Sequence, residues 1–175
     1  MNFTRLAAFI AAASFAAMAG AQGKGPSDPQ IAGIVVAANQ IDIDAGKAAK
    51  SRSKNKEVQA FAQLMITDHT AVNKQASDLV KKLKVKPEES DTSRALKSAA
   101  KETAAKHKAL KGAAFDKAYA DNEVAYHQQV LDAIDKVLIP NAQNAELKGL
   151  LEKVRPAIAA HLEHAKMMAS SLGKK

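Results

Sequence analysis

The chain has 175 residues, 47% of them apolar and 25% charged, with a formal net charge of +8 and neither Cys nor Trp. That length favours a single domain, and with aromatics at only 4% the β-branched and aromatic positions that a sandwich or barrel requires are missing. The absence of Cys removes disulfide scaffolds, zinc ribbons and thiol chemistry together.

Met1 to Ala21 reads as an address. Arg5 supplies a positive start, Leu6 to Met18 is an uncharged run of 13 residues, and Ala19-Gly20-Ala21 is a small-x-small cleavage site. This is the pattern of a secretory signal peptide, and the run is short of the roughly 20 residues that span a bilayer. The expected mature chain starts near Gln22, holds 154 residues and carries +7. Residues 22–27 are expected to be a flexible lead-in, and 28–170 a single helical domain, exported to the periplasm. No later apolar stretch is long enough to span a membrane.

Five helical stretches follow by period. Asp28-Pro29 has the form of a helix start, and Ile31, Ile34, Val35, Ala38, Ile41, Ala45 and Ala49 recur at three-and-four spacing until Ser51–Ser53. A second helix is expected over 55–83, with Val58, Phe61, Ala62, Met65, Val72, Ala76, Leu79 and Leu83 on its stripe. Ser93 is the expected cap of a third, shorter helix bearing Leu96, Ala99, Ala100, Ala104 and Leu110, with Gly112 as its stop. A fourth is expected over 113–139, closed by Pro140-Asn141, and a fifth over 142–170, with a kink at Pro156. Each stripe is apolar on one side only, so none is stable alone. The pattern predicts an all-α fold, an antiparallel four-helix bundle with one additional short helix.

Polar residues interrupt the apolar stripes. Asp42 continues the row of Val35, Ala38 and Ala45. His69 lies four after Met65, His127 three before Val130, and His161 three after Ile158. Three histidines thus come from three different long helices. Asp68 precedes His69, and Asp116 and Glu123 lie eleven and four residues before His127 on the same face. Buried and unpaired, such groups cost about 1–3 kcal/mol each. One solution is a metal site with His69, His127, His161, Asp42, Asp68 and Asp116 as candidate ligands for a divalent transition metal, supported by Tyr119, Glu123 and His164. The other is a set of His–Asp and His–Tyr hydrogen bonds that fix helix register. No Glu-x-x-His occurs, so the carboxylate-bridged di-iron pattern is absent. His161-Leu162-Glu163-His164 is a His-x-x-His, with His164 nearer the edge of its stripe, and His107 is expected to be solvated on the short helix.

The blocks Met65-Ile66-Thr67-Asp68-His69, Phe115-Asp116-Lys117-Ala118-Tyr119, His127, and Pro156-Ala157-Ile158-Ala159-Ala160-His161-Leu162 together resemble the exported family called domain of unknown function 4142. The resemblance runs from about Asp28 to Met168. It implies a ferritin-like helical bundle, export, and the label of an outer-membrane protein, but no established reaction. The family's Asp-His pair falls on Asp68 and His69, its Phe-Asp-x-x-Tyr block on Phe115, Asp116 and Tyr119, and its later histidines on His127 and His161. Where the family usually has a Glu in the first helix, this chain has Asp42, one methylene shorter. With no barrel strands in the pattern, a chain of this kind can only be peripheral to the outer membrane.

Lys81 to Lys111 holds ten basic residues and four acids, so most of the excess charge is local. The segment is Lys-rich without interleaved aromatics, which disfavours nucleic acid, and its ordinary role is a solvated face. The first functional reading is therefore a non-enzymatic exported bundle acting in the cell envelope or in stress. A metal-binding or metal-dependent redox protein is the alternative. A binder of anionic membrane surface or polyanion through the basic segment is the second alternative. No catalytic motif is present. The partner and the oligomeric state are not legible.

Overall fold

Ser27 opens the first helix. In the computed structural model, which describes residues 25–174, its hydroxyl accepts from the Gln30 N–H while the Gln30 side chain returns to the Ser27 N–H, a capping box that satisfies two end donors at once. The signal segment expected over 1–21 lies outside the described residues. Helix α1 spans Asp28–Arg52 and α2 spans Lys56–Lys82, the latter capped by the Asn55 side chain, which accepts from Glu57 and Val58 N–H. Helix α3 spans Asp91–Lys108. Its cap is Ser90, not Ser93: the backbone is extended at Ser90, so its hydroxyl meets the Ser93 N–H, and Ser93 returns the bond from inside the first turn.

Helix α4 spans Gly112–Ala133 and continues through a π turn at Ile134–Leu138 into a last turn at Ile139–Asn141. Gly112, expected to stop the third helix, instead starts the fourth: its φ of +53° is open to glycine, while α3 has already ended at Lys108. The π turn has a local cause. Pro140 has no N–H for the carbonyl of Lys136 and its ring crowds that turn, and the widened turn lets the Ile139 N–H reach Ile134 O. Helix α5 spans Ala145–Leu172, is capped by Asn144, and contains Pro156 within its length.

Cross-chain hydrogen bonds fix the direction of each helix. The Glu88 N–H donates to Pro29 O at 2.9 Å, so α2 ends where α1 begins. Arg52 donates to His107 O and Leu110 O at 3.0 and 2.8 Å, so α3 has carried the chain back to the far end of α1. Asp28 accepts from Gln143 N–H, and Ser171 donates to Glu57, both at 2.9 Å, which places the α4–α5 turn beside the start of α1 and the end of α5 beside the start of α2. The four long helices therefore run up, down, down and up, with α3 inside the one long crossover. Ferritin-like bundles share this connectivity.

The core has two apolar ends. Ile31, Ile34, Val35, Leu138, Leu147 and Ile158 belong to one cluster; Val58, Phe61, Met65, Phe115, Tyr119 and Met168 belong to the other. Helix α3 contributes little: Leu96 is its one buried apolar residue, and Ala104, expected on its stripe, is exposed. It stands against α1 with its lysines outward. His107 corrects the expectation of a solvated ring, being half-buried with its edge toward Phe115 at 6.0 Å between centroids. The Arg52 guanidinium lies 4.1 Å from the centre of the same Phe115 ring while it caps the α3 carbonyls. Among the described residues there is no strand, and no helix is long and apolar enough to cross a membrane.

Gly33 is where the α2–α3 loop crosses α1. A Cβ there would stand 2.0 Å from the Glu88 carbonyl oxygen, a backbone atom with little room to move. Gly33→Ala is expected to destabilise the fold by about 1–3 kcal/mol, as overpacking does, measured as a lower urea midpoint at unchanged slope.

Candidate metal centre

Between the two apolar ends lies a polar layer contributed by all four long helices. Asp42 and Asn39 come from α1, His69 from α2, Glu123 and His127 from α4, and His161 from α5, and every one of these side chains is buried. One donor atom from each of His69, His127 and His161 lies within 4.8 Å of the others, and the same holds for Asp42, Glu123 and His127. Asp42 Oδ2 is 2.8 Å from His69 Nε2 and 3.3 Å from His127 Nε2.

Each imidazole is held by its outward nitrogen. The Asn39 amide donates to Val35 O at 2.8 Å, which fixes its orientation and turns Oδ1 toward His69 Nδ1, 2.7 Å away. That oxygen is an acceptor, so Nδ1 carries the hydrogen and donates. His127 Nδ1 donates to the Glu123 carbonyl at 3.0 Å, and His161 Nε2 donates to Asp68 Oδ2 at 2.9 Å. In the neutral rings the remaining nitrogens, His69 Nε2, His127 Nε2 and His161 Nδ1, are bare lone pairs, and none has a hydrogen-bond partner. Two of them face a carboxylate oxygen. Lone pairs directed at an anion in a buried site repel one another unless a positive species, a proton or a metal ion, stands among them.

The titration shifts follow from this crowding. Burial pushes the Asp42 carboxyl up, but the His69 contact, with help from His127, outweighs it and holds the group below the usual carboxylate range. Burial raises Glu123 well above that range, and the neighbouring Asp42 charge raises it further. Two facing carboxyls are both satisfied when one keeps its proton, and Glu123 is the one that does. Burial lowers His127 and His161, which favours their neutral, donor-ready form. Burial also raises the Tyr119 and Tyr126 hydroxyls, reinforced by Glu123 and Asp42; Tyr126 donates to Ala38 O at 2.8 Å.

The sequence-derived candidates separate clearly. His69, His127, His161 and Asp42 come together, with Glu123 against them. Asp68 stands outside, half-buried, on the outer nitrogen of His161. Asp116 joins neither cluster of possible ligands among the described residues, although it is buried and its Oδ1 has no partner. It lies nearly two turns before Glu123 on α4, too far along the helix axis to reach the layer. Tyr119 packs in the apolar end with Phe61 and Phe115. His164 meets Phe61 edge-on at 5.1 Å and is in neither cluster. Asn39 is a member of the layer that the search for ionisable groups on an apolar face does not single out, because an amide does not titrate. Its signal was an amide three residues before Asp42 in an otherwise apolar row.

Glu123 gives a testable pH dependence. Its folded-state pKa is raised, so above its unfolded value near 4.5 the folded protein holds a proton that the unfolded chain has released. The stability from that proton is lost as pH rises through the folded pKa. In metal-free protein, the melting temperature of Glu123→Gln relative to wild type is therefore expected to climb as pH is raised from 4.5. A difference that stays flat between pH 4 and 8 contradicts the protonated assignment.

No curated protein and no solved structure matches this chain significantly. One family model matches residues 12–168, nearly the full length of the chain and all four helices that supply the layer. The chain belongs to the family described as Domain of unknown function (DUF4142).

Proposed function

We propose that the protein is an exported, metal-binding helical bundle of the cell envelope, which holds one divalent transition-metal ion in its interior through His69, His127, His161 and Asp42. The observation that carries the reading is the gathering of three buried histidines that each have an unpartnered ring nitrogen, two of them against the Asp42 carboxylate, each ring being oriented by a bond at its other nitrogen. Metal-ligating histidines are held in this manner. Separations of 2.8 and 3.3 Å between Asp42 Oδ2 and the two Nε2 atoms are what neighbouring ligands show around one ion at about 2.0–2.2 Å. Imidazoles with a single carboxylate suit zinc, iron, copper or nickel better than calcium or magnesium. Export is supported by the uncharged Leu6–Met18 run and the small residues that follow it. A purely structural His69–Asp42 ion pair is the competing account, and it needs only one proton.

Metal analysis of protein purified without an affinity tag separates the two. About one transition-metal ion per chain is expected, and it is lost in the His69→Ala, His161→Ala double variant while His164→Ala keeps it. Asn39→Ala, which frees the His69 ring without removing a ligand, is expected to weaken metal affinity by about 10–100-fold. A folded wild-type protein that takes up none of these metals near neutral pH leaves the ion pair as the explanation.

A further inference from the structure

A cavity of about 40 Å³ lies inside the bundle, bordered by Asp42, His69 and His127 at one end. Twelve of its seventeen lining residues are apolar, so its polar atoms are gathered at the end next to the histidines. Two of the remaining polar side chains are already committed: Tyr126 to Ala38 O, and Asn39 to Val35 O and His69. By volume the space would take about three or four waters at 10–15 Å³ each, but a water also needs polar partners, and apolar cavities stay dry and take up ligands such as xenon. Away from Asp42 and the two Nε2 atoms, the walls offer none.

Ile134 and Leu138, the two ends of the π turn, both line this space. Such turns often interrupt helices at functional sites. A charged or strongly polar ligand would lose its hydration against these walls without compensation, and anything larger than a few atoms exceeds the volume.

We propose that this cavity is a binding pocket for a small uncharged molecule of two or three heavy atoms, of the dioxygen or nitric oxide class, held against the Asp42–His69–His127 face. Delivery of that molecule to a metal rests on the metal-binding reading; occupancy of the pocket itself does not.

Two experiments on the full chain test it. In metal-free protein under xenon pressure, saturable shifts are expected in the methyl resonances of Val35, Val130, Ile134 and Ile158, and they disappear in Val130→Phe. Val130→Leu adds less volume and replaces that variant where it does not fold. In iron(II)-loaded protein, nitric oxide is expected to give an iron–nitrosyl signal by electron paramagnetic resonance. The filled variants keep the iron content but lose nitric oxide affinity by about tenfold or more. Absence of xenon-dependent shifts, or wild-type nitric oxide affinity in a filled variant, overturns the proposal. A wild-type protein that binds xenon but no iron(II) or other transition metal retains the pocket and sinks only the metal reading.

Discussion

The fold turns on one electrostatic requirement. Three imidazole lone pairs and a carboxylate meet in the middle of an apolar bundle, and the set is stable only with positive charge in its midst. In a low-dielectric interior a satisfied polar network is stronger than in water, and an unsatisfied one costs more. The apolar clusters at both ends make this layer the interior's main polar event. Hydrophobic burial closes the bundle, but it does not specify how the helices slide against one another. The polar layer does, because a one-turn slip of any long helix would carry its histidine or carboxylate into an apolar end.

The scaffold supports the layer at a distance. Helix caps at Ser27, Asn55 and Asn144 set where α1, α2 and α5 begin and therefore at what height the polar residue of each emerges. The corner bonds from Arg52 and Asp28 tie helix ends together across the chain. Within the layer, Asn39 is oriented by its own backbone and in turn orients His69. The rings of His69 and His127 are thus held by groups that are themselves fixed, the Asn39 amide and the helix backbone at Glu123.

Much of this was legible in the residue order. Three-and-four spacing found the helices because burial of one face is the term that makes them stable. The same spacing put Asp42, His69, His127 and His161 inward. Spacing alone says which face a residue occupies and little about which neighbour it meets, so Asp68 and Asp116 looked equivalent to Asp42. They part only when the helices are set side by side: Asp68 reaches the back of the His161 ring, and Asp116, buried on α4 nearly two turns before Glu123, joins neither group of possible ligands. The π turn was hidden for a related reason. Pro140 announces an ending, but whether the preceding turn unravels or widens depends on the packing of Ile134 and Leu138 against α5 and the cavity.

The long crossover divides the layer between two helical hairpins. Asn39, Asp42 and His69 belong to the first; Glu123, His127 and His161 belong to the second. Neither half has a full complement of donors, and each alone would present its polar groups to water at no great penalty. Only their union encloses the charge. Assembly of the two halves and closure of the site are therefore one event, and an ion lodged there would act as a clasp between two otherwise locally built pieces of chain.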